Sequence, residues 1–132
     1  MKKIISVGLV LILCLFAGCG QKENATVNTY QQITAEEAKS IMDTENDYII
    51  IDARTEEEFA GGHIANAILI PEYEIAERAE KELPDKNQLI LVYCRSGRRS
   101  KIASEELVKL GYTNVKEFGG IIDWPYEITS ES

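Results

Sequence analysis

Histidine, tryptophan, proline and cysteine are scarce in this 132-residue chain, which holds one, one, three and three of them. With one histidine and so few thiols, no group of residues has the spacing of a metal site, and neither a metal nor any other cofactor is expected. Basic charge is in short supply as well: 14 lysines and arginines stand against 22 acidic residues, for a net charge of −8 at pH 7. Nucleic-acid binding depends on clustered cations that displace counterions, so an acidic chain argues against it. No glycine-rich nucleotide fingerprint follows any apolar run, and there is no internal repeat. What is left, 45% hydrophobic and 27% charged residues, is ordinary for one globular domain with a real core.

The longest apolar run stands at the beginning. Lys2 and Lys3 precede a stretch from Ile4 to Phe16 that falls short of the ~20 residues needed to span a bilayer. Ala17 and Gly18 then lead directly into Cys19. This arrangement resembles a bacterial lipoprotein signal, which implies removal of residues 1–18 and acylation of Cys19, palmitate included. An ordinary cleaved secretory signal and an uncleaved short anchor are the alternatives. The lipoprotein reading predicts an extracytoplasmic protein held to the membrane by its lipid. A tether follows over 19–29, then a domain over 30–128 and a tail over 129–132. Two or more acyl chains anchor firmly, since each buried CH₂ contributes about 0.8 kcal/mol. The cysteines then sort themselves. Cys14 leaves with the signal and Cys19 is acylated, so Cys94 remains as the free thiol and no disulfide can form in the mature domain.

Within the domain, Thr34-Ala35-Glu36-Glu37 is a capping box, followed by a helical face of Ala35, Ala38, Ile41 and Met42. Tyr48-Ile49-Ile50-Ile51 reads as a strand buried on both sides. A second capping box, Thr55-Glu56-Glu57-Glu58, opens a short helix that Gly61-Gly62 stops. Ala67 to Ile70 predicts another buried strand, ended by Pro71. Glu72 to Leu83 predicts a helix facing inward through Ile75, Ala76, Ala79 and Leu83. Leu89 to Tyr93 is the third apolar strand, and Arg99 to Leu110 the helix after it, with Ala103, Leu107 and Leu110 buried. Val115 to Phe118 is a last strand, after which Gly119-Gly120 turns the chain toward Trp124. Strands alternating with helices predict an α/β fold: a mainly parallel sheet of about four or five strands with helices on both faces. Sites in such folds form at the carboxyl ends of strands, and Cys94 follows one.

The segment Cys94-Arg95-Ser96-Gly97-Arg98-Arg99-Ser100 concentrates the chemistry. Backbone N–H groups and a helix N-terminus converge on one sulfur, which favours a thiolate and hence a nucleophile or anion carrier. Gly97 allows the backbone to fold closely over it, and Ser96 and Ser100 offer hydroxyl donors without bulk. Arg95, Arg98, Arg99 and Lys101 form a local positive patch that steers a small anion toward the loop. Arg99 points either into the loop or outward as an ion pair at the helix start. Asp52 and Arg54, at a strand end, either approach the loop or pair internally. His63 is either an acid–base group or a structural one, and the latter is favoured.

The loop Cys94 to Ser100 resembles the active-site loop of small single-domain rhodaneses. The likeness extends in order through Ile51-Asp52-Ala53-Arg54, Glu58-Phe59, Gly62-His63-Ile64, Ala67 to Pro71, and Phe118-Gly119-Gly120-Ile121 with Trp124. It implies a small rhodanese-like fold and a sulfurtransferase in which Cys94 carries a persulfide. Its partners would be a small anionic donor, thiosulfate or a polysulfide, and a thiol or cyanide acceptor, with the domain acting as a monomer. Cysteine-dependent phosphatases share this architecture, but their clamping arginine stands six residues after the cysteine, where this chain has Ser100. A non-catalytic carrier or partner-binding module is the other alternative.

Overall fold

Short apolar runs become the middle of a parallel sheet because both of their faces are covered by helices. The computed structural model describes residues 29–131. The expected signal over 1–18, the lipidation at Cys19 and the tether up to residue 28 lie outside the described residues. In chain order the elements are β1 (Gln31–Gln32), α1 (Ala35–Thr44), β2 (Ile49–Asp52), α2 (Glu56–Ala60) and β3 (Ile68–Leu69). A 3-10 turn (Glu72–Glu74) leads into α3 (Ile75–Glu82), then β4 (Ile90–Cys94), α4 (Arg98–Lys109), β5 (Val115–Gly120) and a last 3-10 turn (Ile121–Asp123). The five strands lie in the order β1-β5-β4-β2-β3, with every neighbouring pair parallel. The α/β class, the parallel sheet and its helical layers are as the sequence predicts.

Alternation along β4 divides the core. Ile90, Val92 and Cys94 face a layer built from Ile75, Ala79 and Leu83 of α3 and its end, with Ala103 and Leu107 of α4. Leu91 and Tyr93 face the opposite way, toward Ala38 of α1, Ile64, Phe118 and Trp124. Both expected capping boxes form, Thr34 with Glu37 and Thr55 with Glu58. Among the described residues, no helix is long and apolar enough to cross a membrane.

The differences from expectation are local. β3 is an edge strand with Ile68 exposed and Leu69 half-buried rather than a buried one. Ala76 faces outward while Ile75 and Ala79 are buried. β1, only two exposed residues long, has no apolar pattern and exists through its ladder to β5. Glu72–Glu74 forms a 3-10 turn after Pro71 rather than the first turn of the helix. α4 starts at Arg98, and β5 runs through both glycines to Gly120. Past residue 128 the chain is not loose: Thr129 forms an antiparallel bridge with His63.

The topology explains where the site lies. The chain leaves β2 outward to β3 but leaves β4 in the other direction to β5. Neighbouring strands whose onward connections diverge leave a crevice at their carboxyl ends. Asp52 ends β2, Cys94 ends β4 and Gly120 ends β5, with Cys94 and Gly120 as register partners.

Candidate active site

β4 delivers Cys94 to the sheet edge with its sulfur almost covered, at 1% exposure. The chain then turns within three residues. Gly97 adopts φ +110°, a conformation that side chains disfavour, and caps α4 at its N-terminus. Its N–H donates to Cys94 Sγ at 3.0 Å. The sulfur therefore sits under the positive end of a 12-residue helix.

Ser100, in the first turn of α4, lies on the other side of the sulfur. The thiol donates to its Oγ at 3.3 Å, so this hydroxyl receives a hydrogen bond rather than giving one to Cys94. Its own proton points toward Glu117 Oε2 at 2.5 Å, with Gly97 O at 3.0 Å and Gly119 O at 3.4 Å as further acceptors. Glu117 is 2% exposed and also accepts from Gly119 N at 3.0 Å and Gln32 Nε2 at 3.4 Å. Sequence reasoning missed it. The available signal was period-two alternation: Glu117 shares the inward register of Val115, and a carboxylate at a core position calls for a partner.

A β-bulge brings these groups together. Val92 and Cys94 of β4 are partnered by Glu117 and Gly120 of β5, so β5 spends an extra residue there. Gly119 absorbs it at φ +91°.

Arg99 turns outward. Its guanidinium grips Glu58 of α2 with two hydrogen bonds, of 2.8 and 3.0 Å, which ties α2 to the start of α4. Arg99, together with the Thr55 cap, holds the Glu58 carboxyl down to about 2. The sign follows directly. A carboxyl with a lowered folded value contributes stability above its ordinary value near 4.5, and that contribution disappears as pH falls toward 2. Glu58→Gln is therefore expected to lower the urea midpoint at pH 7. The gap from the parent should close between pH 4.5 and about 2; a gap that persists at the acid end would contradict the assignment.

Arg95, Ser96 and Arg98 are exposed on the loop that follows the sulfur, and Ile122 N–H donates to Arg95 O at 3.2 Å. Arg95 and Arg98 are thus the cations available to an incoming anion. Asp52 and Arg54 form a buried pair of 2.7 Å that braces the adjoining loops. Arg54 Nη2 donates to Gly62 O, and Tyr93 Oη donates to Asp52 Oδ2 at 2.6 Å while accepting from Ile64 N. Burial, then the neighbouring Asp52 charge, pushes the Tyr93 phenol far above its ordinary value. His63 stacks on Phe59 at 3.6 Å, and its ring nitrogens meet Phe59 O and Glu131 O. That position is structural. Among the described residues, no cluster of histidine, cysteine and acidic side chains could hold a metal.

A buried sulfur that accepts a backbone N–H at the start of a helix, on a loop with two exposed arginines, suits a nucleophile that works on a small anion. The chain is similar to known proteins over most of this domain. Thiosulfate sulfurtransferase PspE of Escherichia coli is 44% identical over 73 residues, covering 55% of this chain and 70% of its own. A sulfurtransferase of Allochromatium vinosum is 40% identical over 88 residues, 66% of this chain and 79% of that one. The crystal structure of a rhodanese-related protein from Thermoplasma volcanium superposes with a TM-score of 0.67 at 33% identity, over 77% of this chain and 100% of that one. The rhodanese-like domain model matches residues 34–125, most of the described chain, and the chain belongs to that family.

Proposed function

We propose that this protein is a sulfurtransferase that moves a sulfane sulfur from an anionic donor, thiosulfate or a polysulfide, to a nucleophilic acceptor. The observation that carries the reading is Cys94 Sγ held at the start of α4 by the Gly97 N–H, with Arg95 and Arg98 exposed on the loop that follows it. In the first half-reaction the Cys94 thiolate attacks the outer sulfur of thiosulfate. The donor's S–S bond breaks, sulfite leaves with its electron pair, and Cys94 carries a persulfide. In the second, a thiol or cyanide attacks the outer sulfur and Cys94 leaves as thiolate, so the cycle needs no outside oxidant or reductant. The names of the matched relatives support sulfur transfer, and so does the loop. Arg99 is bound to Glu58, and the residue six positions after Cys94, where a phosphatase loop places its clamping arginine, is Ser100.

The domain works as a monomer tethered by a lipid on Cys19, outside the cytoplasmic membrane. The sequence pattern of residues 2–19 supports that placement. Intact-mass measurement of the purified protein tests the chemistry. After thiosulfate treatment the protein is expected to gain one sulfur atom, and cyanide is expected to remove it with formation of thiocyanate. A protein that shows no such adduct at Cys94 is not a sulfurtransferase.

A further inference from the structure

The sulfur-transfer chemistry above makes no use of Glu117, yet this carboxylate lies two hydrogen bonds from the nucleophile. Ser100 Oγ has one proton and three acceptors within reach: Glu117 Oε2 at 2.5 Å, Gly97 O at 3.0 Å and Gly119 O at 3.4 Å. The shortest contact by half an ångström is to the Glu117 carboxyl oxygen, so the proton goes to Glu117. That leaves a lone pair of Ser100 Oγ facing Cys94, and the thiol donates into it at 3.3 Å. A hydroxyl committed in this way cannot donate to a thiolate. Cys94 and Glu117 are moreover both buried, at 1% and 2% exposure, with a single hydroxyl between them. Two negative charges in that space oppose one another.

We propose that Glu117 is a positioning residue that acts through Ser100: by claiming the Ser100 proton, it holds the resting Cys94 in the thiol form. The sulfur ionises by releasing its proton to solvent, after which the Ser100 hydroxyl must turn from Glu117 before it can donate to the new anion. Other charges face the pair from every side. Arg99 of α4 is held by Glu58 of α2 and feels Glu72 from the turn before α3. Arg95 and Arg98 stand exposed on the loop, and Tyr30 beside β1 faces Glu117. The Gly97 N–H favours the anion, while Glu117 and Ser100 favour the thiol. The proposal rests on the sulfur-transfer reading for its significance, but not for its test.

The test is the rate of alkylation of Cys94 by iodoacetamide as a function of pH. It uses the full-length protein and is read by mass spectrometry on the tryptic peptide 87–95, so that Cys14 and Cys19 do not contribute. Glu117→Gln is expected to move the midpoint of the profile down by about one pH unit, a tenfold gain in thiolate at fixed pH. Ser100→Ala is expected to move it in the same direction, because it removes the acceptor of the thiol proton. The Glu117→Gln shift should be less than half as large in the Ser100→Ala background. An unmoved or raised midpoint in either variant overturns the proposal, and so does an equal Glu117→Gln shift with and without Ser100. Should Glu117→Gln not fold, the sign of the Ser100→Ala shift decides alone, since a hydroxyl that donates to the sulfur anion gives a rise. Alkylation needs no sulfur donor. A parent protein that fails to load from thiosulfate while showing these shifts would refute the sulfur-transfer reading and leave the role of Glu117 standing.

Discussion

Cys94→Ser is expected to abolish sulfur loading and to lower sulfur transfer by ~10⁴-fold or more, as removal of a covalent nucleophile does elsewhere. The alcohol is a poor nucleophile at neutral pH and cannot form a persulfide. The fold should hardly notice. Serine is slightly smaller, and its hydroxyl can accept from Gly97 N–H and donate to Ser100 Oγ as the thiol does. The site is buried, so a hydrogen bond lengthened by the shorter C–O bond costs on the order of 1 kcal/mol, within reach of a urea titration. The clean result is therefore a folded protein without adduct and without cyanide-dependent turnover. A variant that still gains one sulfur would move the chemistry to another residue and sink the role given to Cys94.

How legible was this in the sequence? The apolar runs of β2 and β4 and the two capping boxes encode their elements locally; the boxes form where the sequence places them and the two strands one residue further along. β1 could not be read, because Gln31 and Gln32 are strand only through their pairing with Lys116 and Glu117. The same reason hides the bulge at Gly119, which arises from the register between β4 and β5 and not from either segment alone. At the site, Cys94, Gly97 and Ser100 are close in sequence and their convergence follows from one turn. Glu58 reaches Arg99 across 41 residues and Glu117 reaches Ser100 across 17, by contacts that only the fold creates. Sequence left Arg99 with two directions; its partner on α2 supplies the second charge that decides between them.

This distribution has a mechanical consequence. The loop backbone is set by groups outside it: β5 lies beneath, the turn after β5 binds Arg95 O, and α2 holds Arg99. The nucleophile is thus positioned by close packing of backbone on backbone, which tolerates less change than side-chain packing does.

Gly120→Ala puts that claim to its hardest test, and is expected to destroy sulfur loading while the sheet survives. A Cβ at Gly120 would stand 2.1 Å from Arg95 O and 2.5 Å from both Arg95 C and Ser96 Cα. These are backbone atoms, so no side chain can swing aside. Conformation is not the obstacle, since Gly120 is extended at φ −122° and ψ 153°. The loop must lift instead, breaking the Ile122 N–H bond to Arg95 O and pulling Gly97 N–H away from the sulfur. Forced overpacking of this kind costs about 1–3 kcal/mol, with the damage concentrated where the loop is held. Gly119→Ala is the matched control. Its backbone at φ +91° disfavours alanine, but nothing lies within 4 Å of the added carbon. That variant should lose about 1–2 kcal/mol of stability and still load sulfur. Urea midpoints and intact masses after thiosulfate separate the pair. If Gly120→Ala loads as well as the parent, the loop is not seated on β5 in the way that makes Cys94 a sulfur carrier.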